Sequence, residues 1–204
     1  MGERVAILLD GGFVRRKLQQ SLKRFPESSD ILQLCKTILD KERLKSCSLF
    51  RIYYYDAPPL EGTAINPIDK TTIQFSGTRL ANQNRALLDS IELEPDVAVR
   101  RGELDCTGWK LGDKALKSLT QSQRSIQSND LVPDVTQKGV DLRIGLDIAT
   151  LALKRVIDIM VLVTGDSDFV PAMKYARKEG LRVYLEHLGH GVKRELKAHA
   201  DYVL

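Results

Sequence analysis

Apolar positions along the chain follow two different periods. Continuous, β-branched or aliphatic runs mark Val5 to Leu9, Leu49 to Tyr55, Val156 to Val163 and Leu181 to Leu185 as strands buried on both faces. Val97 to Leu104 alternates with Arg100, Arg101 and Glu103 and predicts a further strand, and Asp201 to Leu204 a short edge strand. Between them the period is helical. Phe13 to Phe25 turns Val14, Leu18, Leu22 and Phe25 inward, with Arg15, Arg16, Lys17, Lys23 and Arg24 read as a solvated face. Ser29 and Asp30 offer a helix start before the stripe Ile31, Leu34, Cys35, Ile38 and Leu39. Asn66 to Glu94 is polar and predicted mostly helical, with Leu80, Leu87, Leu88 and Ile91 as core contacts. Asp141 to Lys154 reads as the most buried helix, through Leu142, Ile144, Leu146, Ile148, Leu151, Ala152 and Leu153. Phe169 to Lys178 repeats Phe169, Ala172, Met173 and Ala176 on one stripe and stops at Gly180, and Val192 to Ala198 closes the series.

Strands joined by crossovers this long predict a parallel sheet with helices on its faces, an α/β fold. The stretch from about 105 to 137 fits least: after Trp109 and Leu111, which suggest a hairpin strand, Gln, Ser, Thr and Asn dominate. It reads as a variable polar insertion within one domain spanning residues 1–204.

Composition changes this picture little. The chain has 204 residues, room for one well-filled core, and a formal charge of +4 that permits a nucleic-acid partner without arguing for one. The cysteines Cys35, Cys47 and Cys106 have no metal-ligand spacing, and an odd number without a secretory signal fits a reducing cytoplasm. Nothing is long and apolar enough to predict a membrane span.

The chemistry lies where the elements end. Asp10 closes the first strand; Val163-Thr-Gly-Asp166-Ser-Asp168-Phe169 follows the strand that ends at Val163; Asp141 opens the buried helix. Ligands of open α/β sheets bind outside the carboxyl ends of the strands, and acids gathered there repel unless a cation or a shared proton offsets the charge. A cluster of carboxylates without His or Cys ligands suits Mg²⁺ or Mn²⁺ rather than Zn²⁺. Such ions polarise phosphoryl oxygens and activate water, which implies phosphodiester or phosphomonoester hydrolysis. There is no nucleophile elbow, P-loop or dinucleotide fingerprint. A haloacid-dehalogenase phosphatase would place a second Asp at Gly12, and a Toprim domain a glutamate after the first strand, where this chain has Asp10.

Each acid also has a structural reading. Asp168 and Asp141 are placed to cap the helices that follow them, and Asp10-Gly11 to form a turn. Asp147 lies at helical spacing from Arg143, consistent with a surface pair, and six residues (about 240° around a helix) from Asp141. His187 and His190 follow the last long strand and are minor candidates for a phosphate contact.

Taken together, Val-Ala-Ile-Leu-Leu-Asp10-Gly-Gly-Phe, Tyr-Tyr-Asp56-Ala-Pro-Pro, Gln-Lys138-Gly-Val-Asp141-Leu with Asp147, and Val-Thr-Gly-Asp166-Ser-Asp168-Phe-Val-Pro resemble the bacterial NYN domain, LabA-like branch, of the PIN-like nuclease superfamily. The resemblance implies a Rossmann-like α/β/α sandwich with a central, mostly parallel sheet. It implies catalysis by Asp10, Asp141, Asp166 and Asp168, with these four and Asp147 as ligands of Mg²⁺ or Mn²⁺, and cleavage of RNA. Lys138, Arg143 and Ser167 become the substrate-binding candidates, with Arg79, Arg85, Lys193 and Arg194 as further basic residues for a groove. One departure is Phe13, where many relatives carry Asn or another polar residue three positions after the first Asp. The expected activity is a metal-dependent ribonuclease. A non-catalytic RNA-binding or regulatory module on the same fold is the rival from another class, and a small-molecule phosphatase a third. Leu60 and Ile65 are candidates for a homodimer contact.

Overall fold

The computed structural model describes residues 2–122 and 124–204. The chain runs β1 (Arg4–Asp10), α1 (Gly11–Leu22), α2 (Ser28–Leu39), β2 (Ser48–Asp56), β3 (Thr63–Ile65), β4 (Thr72–Gln74), α3 (Arg79–Glu92) and β5 (Val97–Arg101). It continues through β6 (Glu103–Leu111), α4 (Asp113–Gln121), β7 (Leu131–Lys138), α5 (Val140–Lys154), β8 (Ile159–Val163), α6 (Val170–Lys178), β9 (Arg182–Glu186), α7 (Arg194–Ala198) and β10 (Tyr202–Val203). Short 3-10 turns occupy Ser128–Asp130 and Ser167–Phe169.

Six strands form one sheet in the order β10-β9-β8-β1-β2-β5, and every neighbouring pair is parallel. Alternation along β1 sends its side chains to two cores. Ala6 and Leu8 join Val140, Ile144, Ile148, Val170, Met173 and Leu196 on one face, under α5, α6 and α7. Val5, Ile7 and Leu9 join Val14, Ile31, Cys35, Leu87 and Ile91 on the other, under α1, α2 and α3. The result is the expected three-layer α/β/α sandwich with β1 at its centre.

Four sequence expectations change. α5 packs through Val140, Ile144, Ile148, Leu151 and Ala152, whereas Leu142, Leu146 and Leu153 are exposed. A position two residues away on a helix lies about 200° around it, so both sets could not face the sheet. Leu22 and Leu80 are also exposed.

The first part of Asn66–Glu94 is a hairpin turn, not a helix. The Asn66 side chain accepts from the Ile68 amide at 3.0 Å, and that of Asp69 from the Thr71 amide at 3.0 Å. The expected strand Val97–Leu104 is two strands, divided at Gly102. The stretch 105–137 is also more ordered than its composition suggests. β6 and β7 pair antiparallel from Glu103 opposite Lys138 to Leu111 opposite Leu131, with α4 between them. At its tip Arg124 grips Asp130 through two hydrogen bonds of 2.6 and 2.8 Å, and that contact holds the Asp130 carboxyl down at about 2.

Candidate active site at the carboxyl end of the sheet

β1 and β8 are adjacent and in register, with Leu9 opposite Val163, so the residues that follow them emerge side by side. Asp10 caps α1: its Oδ1 accepts from the Phe13 amide at 3.1 Å. Its Oδ2 accepts from the Thr164 hydroxyl at 3.0 Å. The same hydroxyl oxygen accepts from the Asp166 amide at 3.1 Å. Fully buried Thr164 thus ties the ends of both strands together. Asp166 in turn caps the 3-10 turn, taking the Asp168 amide at 2.9 Å.

This replaces three of the structural roles read from sequence. α6 has no side-chain cap, which leaves Asp168 exposed and without that task, and α5 starts from Gly139, so Asp141 is not its cap. Asp10 makes a helix cap rather than a turn.

Asp141 links these acids through charge. Burial raises the Asp10 carboxyl above its ordinary range; its hydrogen bonds from Phe13 and Thr164 and the charge of Arg16 pull it back, and Asp141 pushes it up. Asp141 is raised first by burial and then by the charges of Asp166 and Asp168. Acids from three separate segments therefore act on one another. Among the described residues, none of these four forms an ion pair.

Beside them lies an open cleft of about 410 Å³ lined by Asp10, Arg16, Asp166, Ser167, His190 and Lys193, among others. Phe13 and His190 meet edge to face at 5.7 Å between ring centroids. A Cβ on Gly165 would fall 2.7 Å from the His190 ring and 2.8 Å from that of Phe13, so glycine alone lets the loop pass both rings.

The other candidates lie elsewhere. Asp147 accepts from the Tyr55 hydroxyl at 2.9 Å and from Arg100 Nε at 3.0 Å, so its partner is Arg100 rather than Arg143. Arg143 Nε donates to the Arg101 carbonyl at 2.9 Å, and Lys138 pairs with Asp105 at 2.6 Å at the base of the β6–β7 arm. Arg85 pairs with Glu61. His187 keeps a buried Nδ1 with no hydrogen-bond partner among the described residues and does not line the cleft.

Two residues of the site were not singled out from sequence. Thr164 precedes the Gly-Asp-Ser-Asp run directly, which is the signal that could have found it. Arg16 could be placed only once the helix was known to start at Gly11.

Among the described residues, no three His, Cys, Asp or Glu side chains stand close enough to form a ready metal site. The donor set nevertheless fits a hard divalent cation in kind, being all carboxylate oxygen with mutually repelling charge. Binding one calls for the side chains to close on it.

Comparisons with known proteins agree with this architecture. Residues 68–204 match the family model described as NYN domain. A segment of 72 residues is 32% identical to an uncharacterised protein of Methanocaldococcus jannaschii, covering 35% of this chain and 30% of that protein. A crystal structure of a protein of unknown function from Vibrio parahaemolyticus superposes with a TM-score of 0.53 at 16% identity, over 100% of this chain and 92% of that one, which is a likeness of fold.

Proposed function

Since the chain belongs to the NYN-domain family, part of the PIN-like nuclease superfamily whose members generally use divalent metals, we propose that it is a metal-dependent ribonuclease of the LabA-like branch. The observation that supports this reading is the charge of Asp141 on Asp10, and of Asp166 and Asp168 on Asp141, with no ion pair to any of the four among the described residues. Such an arrangement costs folding energy unless something positive is to sit there. The family match begins at residue 68, but β1, the central strand, carries Asp10 into the same sheet, so we take the catalytic domain to include it.

In this reading Asp10, Asp141, Asp166 and Asp168 would hold Mg²⁺ or Mn²⁺. The ion would supply Lewis acidity toward a phosphoryl oxygen and a lower pKa for its water. The chain's own residues supply the rest. Thr164 and the Phe13 amide fix the Asp10 carboxylate in place. Arg16 and Lys193, both lining the cleft, give positive charge for a phosphodiester, and Ser167 offers a hydroxyl to it. Asp147 braces α5 against β2 and β5 through Tyr55 and Arg100. Lys138 and Arg143 act only if their present partners release them. We place the protein in the cytoplasm. No helix among the described residues is long and apolar enough to cross a membrane.

A non-catalytic RNA-binding module remains the second reading, favoured by the absence of a ready three-ligand group among the described residues. Labelled single-stranded RNA incubated with EDTA, Mg²⁺ or Mn²⁺ separates the two. Cleavage that requires metal and both Asp10 and Asp166 supports the nuclease. RNA bound but uncut under every metal supports the module.

A further inference from the structure

On the other side of α1 lies a second hollow that the proposed chemistry does not use. It measures about 240 Å³ and is lined by Arg15, Leu60, Phe75, Leu80, Asn84 and Leu104, among others. Pockets for drug-sized ligands run to about 300–1,000 Å³, so this one is the size for a single planar group.

Its walls are mostly apolar, and the Thr78 hydroxyl is occupied in capping α3, which leaves two polar points. Asn84 on α3 is 7% exposed, and its Oδ1 has no hydrogen-bond partner among the described residues. Its Nδ2 donates to the Ala57 carbonyl at 3.3 Å, which uses one of two hydrogens. Leaving a buried amide acceptor empty costs its desolvation, so native chains rarely leave one without a partner. Arg15 is the second polar point, held by Asp56 through its Nε at 3.2 Å. Leu80, which the sequence assigned to the core, is 56% exposed at the rim of this hollow.

The position is also informative. Asp56 ends β2, and Asp10 at the end of β1 lies in register with Tyr55, so both hollows open at the same edge of the sheet. α1 separates them, sending Arg16 to the aspartate cleft and Arg15 to this one. Consecutive helical residues diverge by about 100°, which is what lets one helix serve both.

We propose that this hollow binds one unpaired nucleobase of the RNA whose backbone lies in the aspartate cleft. Apolar walls and the Phe75 ring suit a flat aromatic face, as sequence-specific RNA recognition commonly uses stacking of splayed bases on aromatic side chains. The Asn84 amide keeps an acceptor without a partner and one N–H to spare, the two kinds of group that a base edge pairs with. The assignment of RNA as the ligand rests on the nuclease reading; the hollow's fit to a base does not depend on catalysis.

The test is an NMR titration of the full chain, in EDTA, with the four ribonucleoside monophosphates, following the Asn84 side-chain amide. At least one nucleotide is expected to shift that resonance saturably. Asn84→Leu, which keeps volume and removes both hydrogen-bonding groups, is expected to weaken its binding by about 5- to 150-fold, the range for one paired base contact. Asn84→Asp, which keeps the acceptor and the shape, serves if the leucine variant does not fold, and is expected to change which base binds best. No shift at Asn84 with any nucleotide, or equal affinity in both variants, overturns the proposal. Nucleotide binding at Asn84 in a protein that never cuts RNA would remove the nuclease reading alone and leave the base site standing.

Discussion

The carboxyl edge of the sheet treats its acids in two ways. At the ends of β2 and β5, each acid has a partner. Asp56, almost fully buried, takes Arg15 and the Ala57 amide, and Asp147 takes Tyr55 and Arg100. Arg100 also lies 5.3 Å from the Tyr53 ring centroid, so this half is a closed network. At the ends of β1 and β8, one strand away, Asp10, Asp166 and Asp168, with Asp141 at the start of α5, form no ion pair among the described residues, and Asp141 feels the charge of Asp166 and Asp168. The same residue type in the same layer is a brace in one half and an unspent charge in the other. The difference teaches that an acid's role at a strand end is set by whether a cation from the chain reaches it.

The sharpest way to break this contrast is to remove charge from each half in turn. Asp166→Asn is expected to lower RNA cleavage by at least about 100-fold, beyond the roughly 10- to 100-fold cost of positions that only support a metal site. Its melting temperature should not fall, since the change relieves the repulsion with Asp141. Cleavage rates per folded molecule together with a thermal melt check both. If the variant melts lower and still cuts, Asp166 belongs with the braces.

Asp56→Ala tests the other half. It removes one member of a largely buried pair and leaves Arg15 uncompensated, which costs about 3 kcal/mol or more, read by denaturant unfolding. Asp147→Ala should cost less, about 1–2 kcal/mol, because Arg100 is half-exposed and the main loss is a partner for the buried Tyr55 hydroxyl. Metal-dependent cleavage should survive it at a permissive temperature; its abolition would return Asp147 to the ligand set.

A subtler expectation concerns pH. Asp10 and Asp141 have raised carboxyls in the folded chain, so the folded state holds protons that the unfolded state has lost. Stability from these groups is therefore present below their ordinary range near 3.8 and is lost as pH rises through their raised folded values. In EDTA, wild type should lose stability relative to Asp10→Asn as pH climbs from acid toward neutral. Melts of both proteins across that range check the sign. The smallest effect is expected from Lys138→Ala, whose exposed pair with Asp105 should leave the melting temperature unchanged.

Much of this contrast could be read from the sequence, because buried parallel strands write themselves as apolar runs and the aspartates sit at their ends. Asp10, Asp166 and Asp168 were located by that logic alone. What escaped was non-local. Whether Asp147 would meet Arg143 or Arg100 depends on which strand lies under α5, and Lys138 finds Asp105 only once β6 and β7 pair across 33 residues. Trp109 and Leu111 mark one strand of that arm, but its partner β7 is hidden by polar composition, since antiparallel pairing of distant polar segments leaves no periodic signature. The exposed leucines of α5 were misread for a simpler reason: an all-apolar helix does not say which of its faces is inside.

One measurement addresses the contrast directly: the thermal shift of the metal-free protein on adding Mn²⁺, in wild type, Asp10→Asn and Asp56→Asn. A cation that binds only the folded state stabilises it by about 2.7 kcal/mol at a hundredfold excess over Kd. The expected result is a saturable rise in wild type and in Asp56→Asn, referred to its own lower baseline, and none in Asp10→Asn. An equal rise in all three, or none in wild type, would contradict the assignment of the unpaired aspartates to a metal.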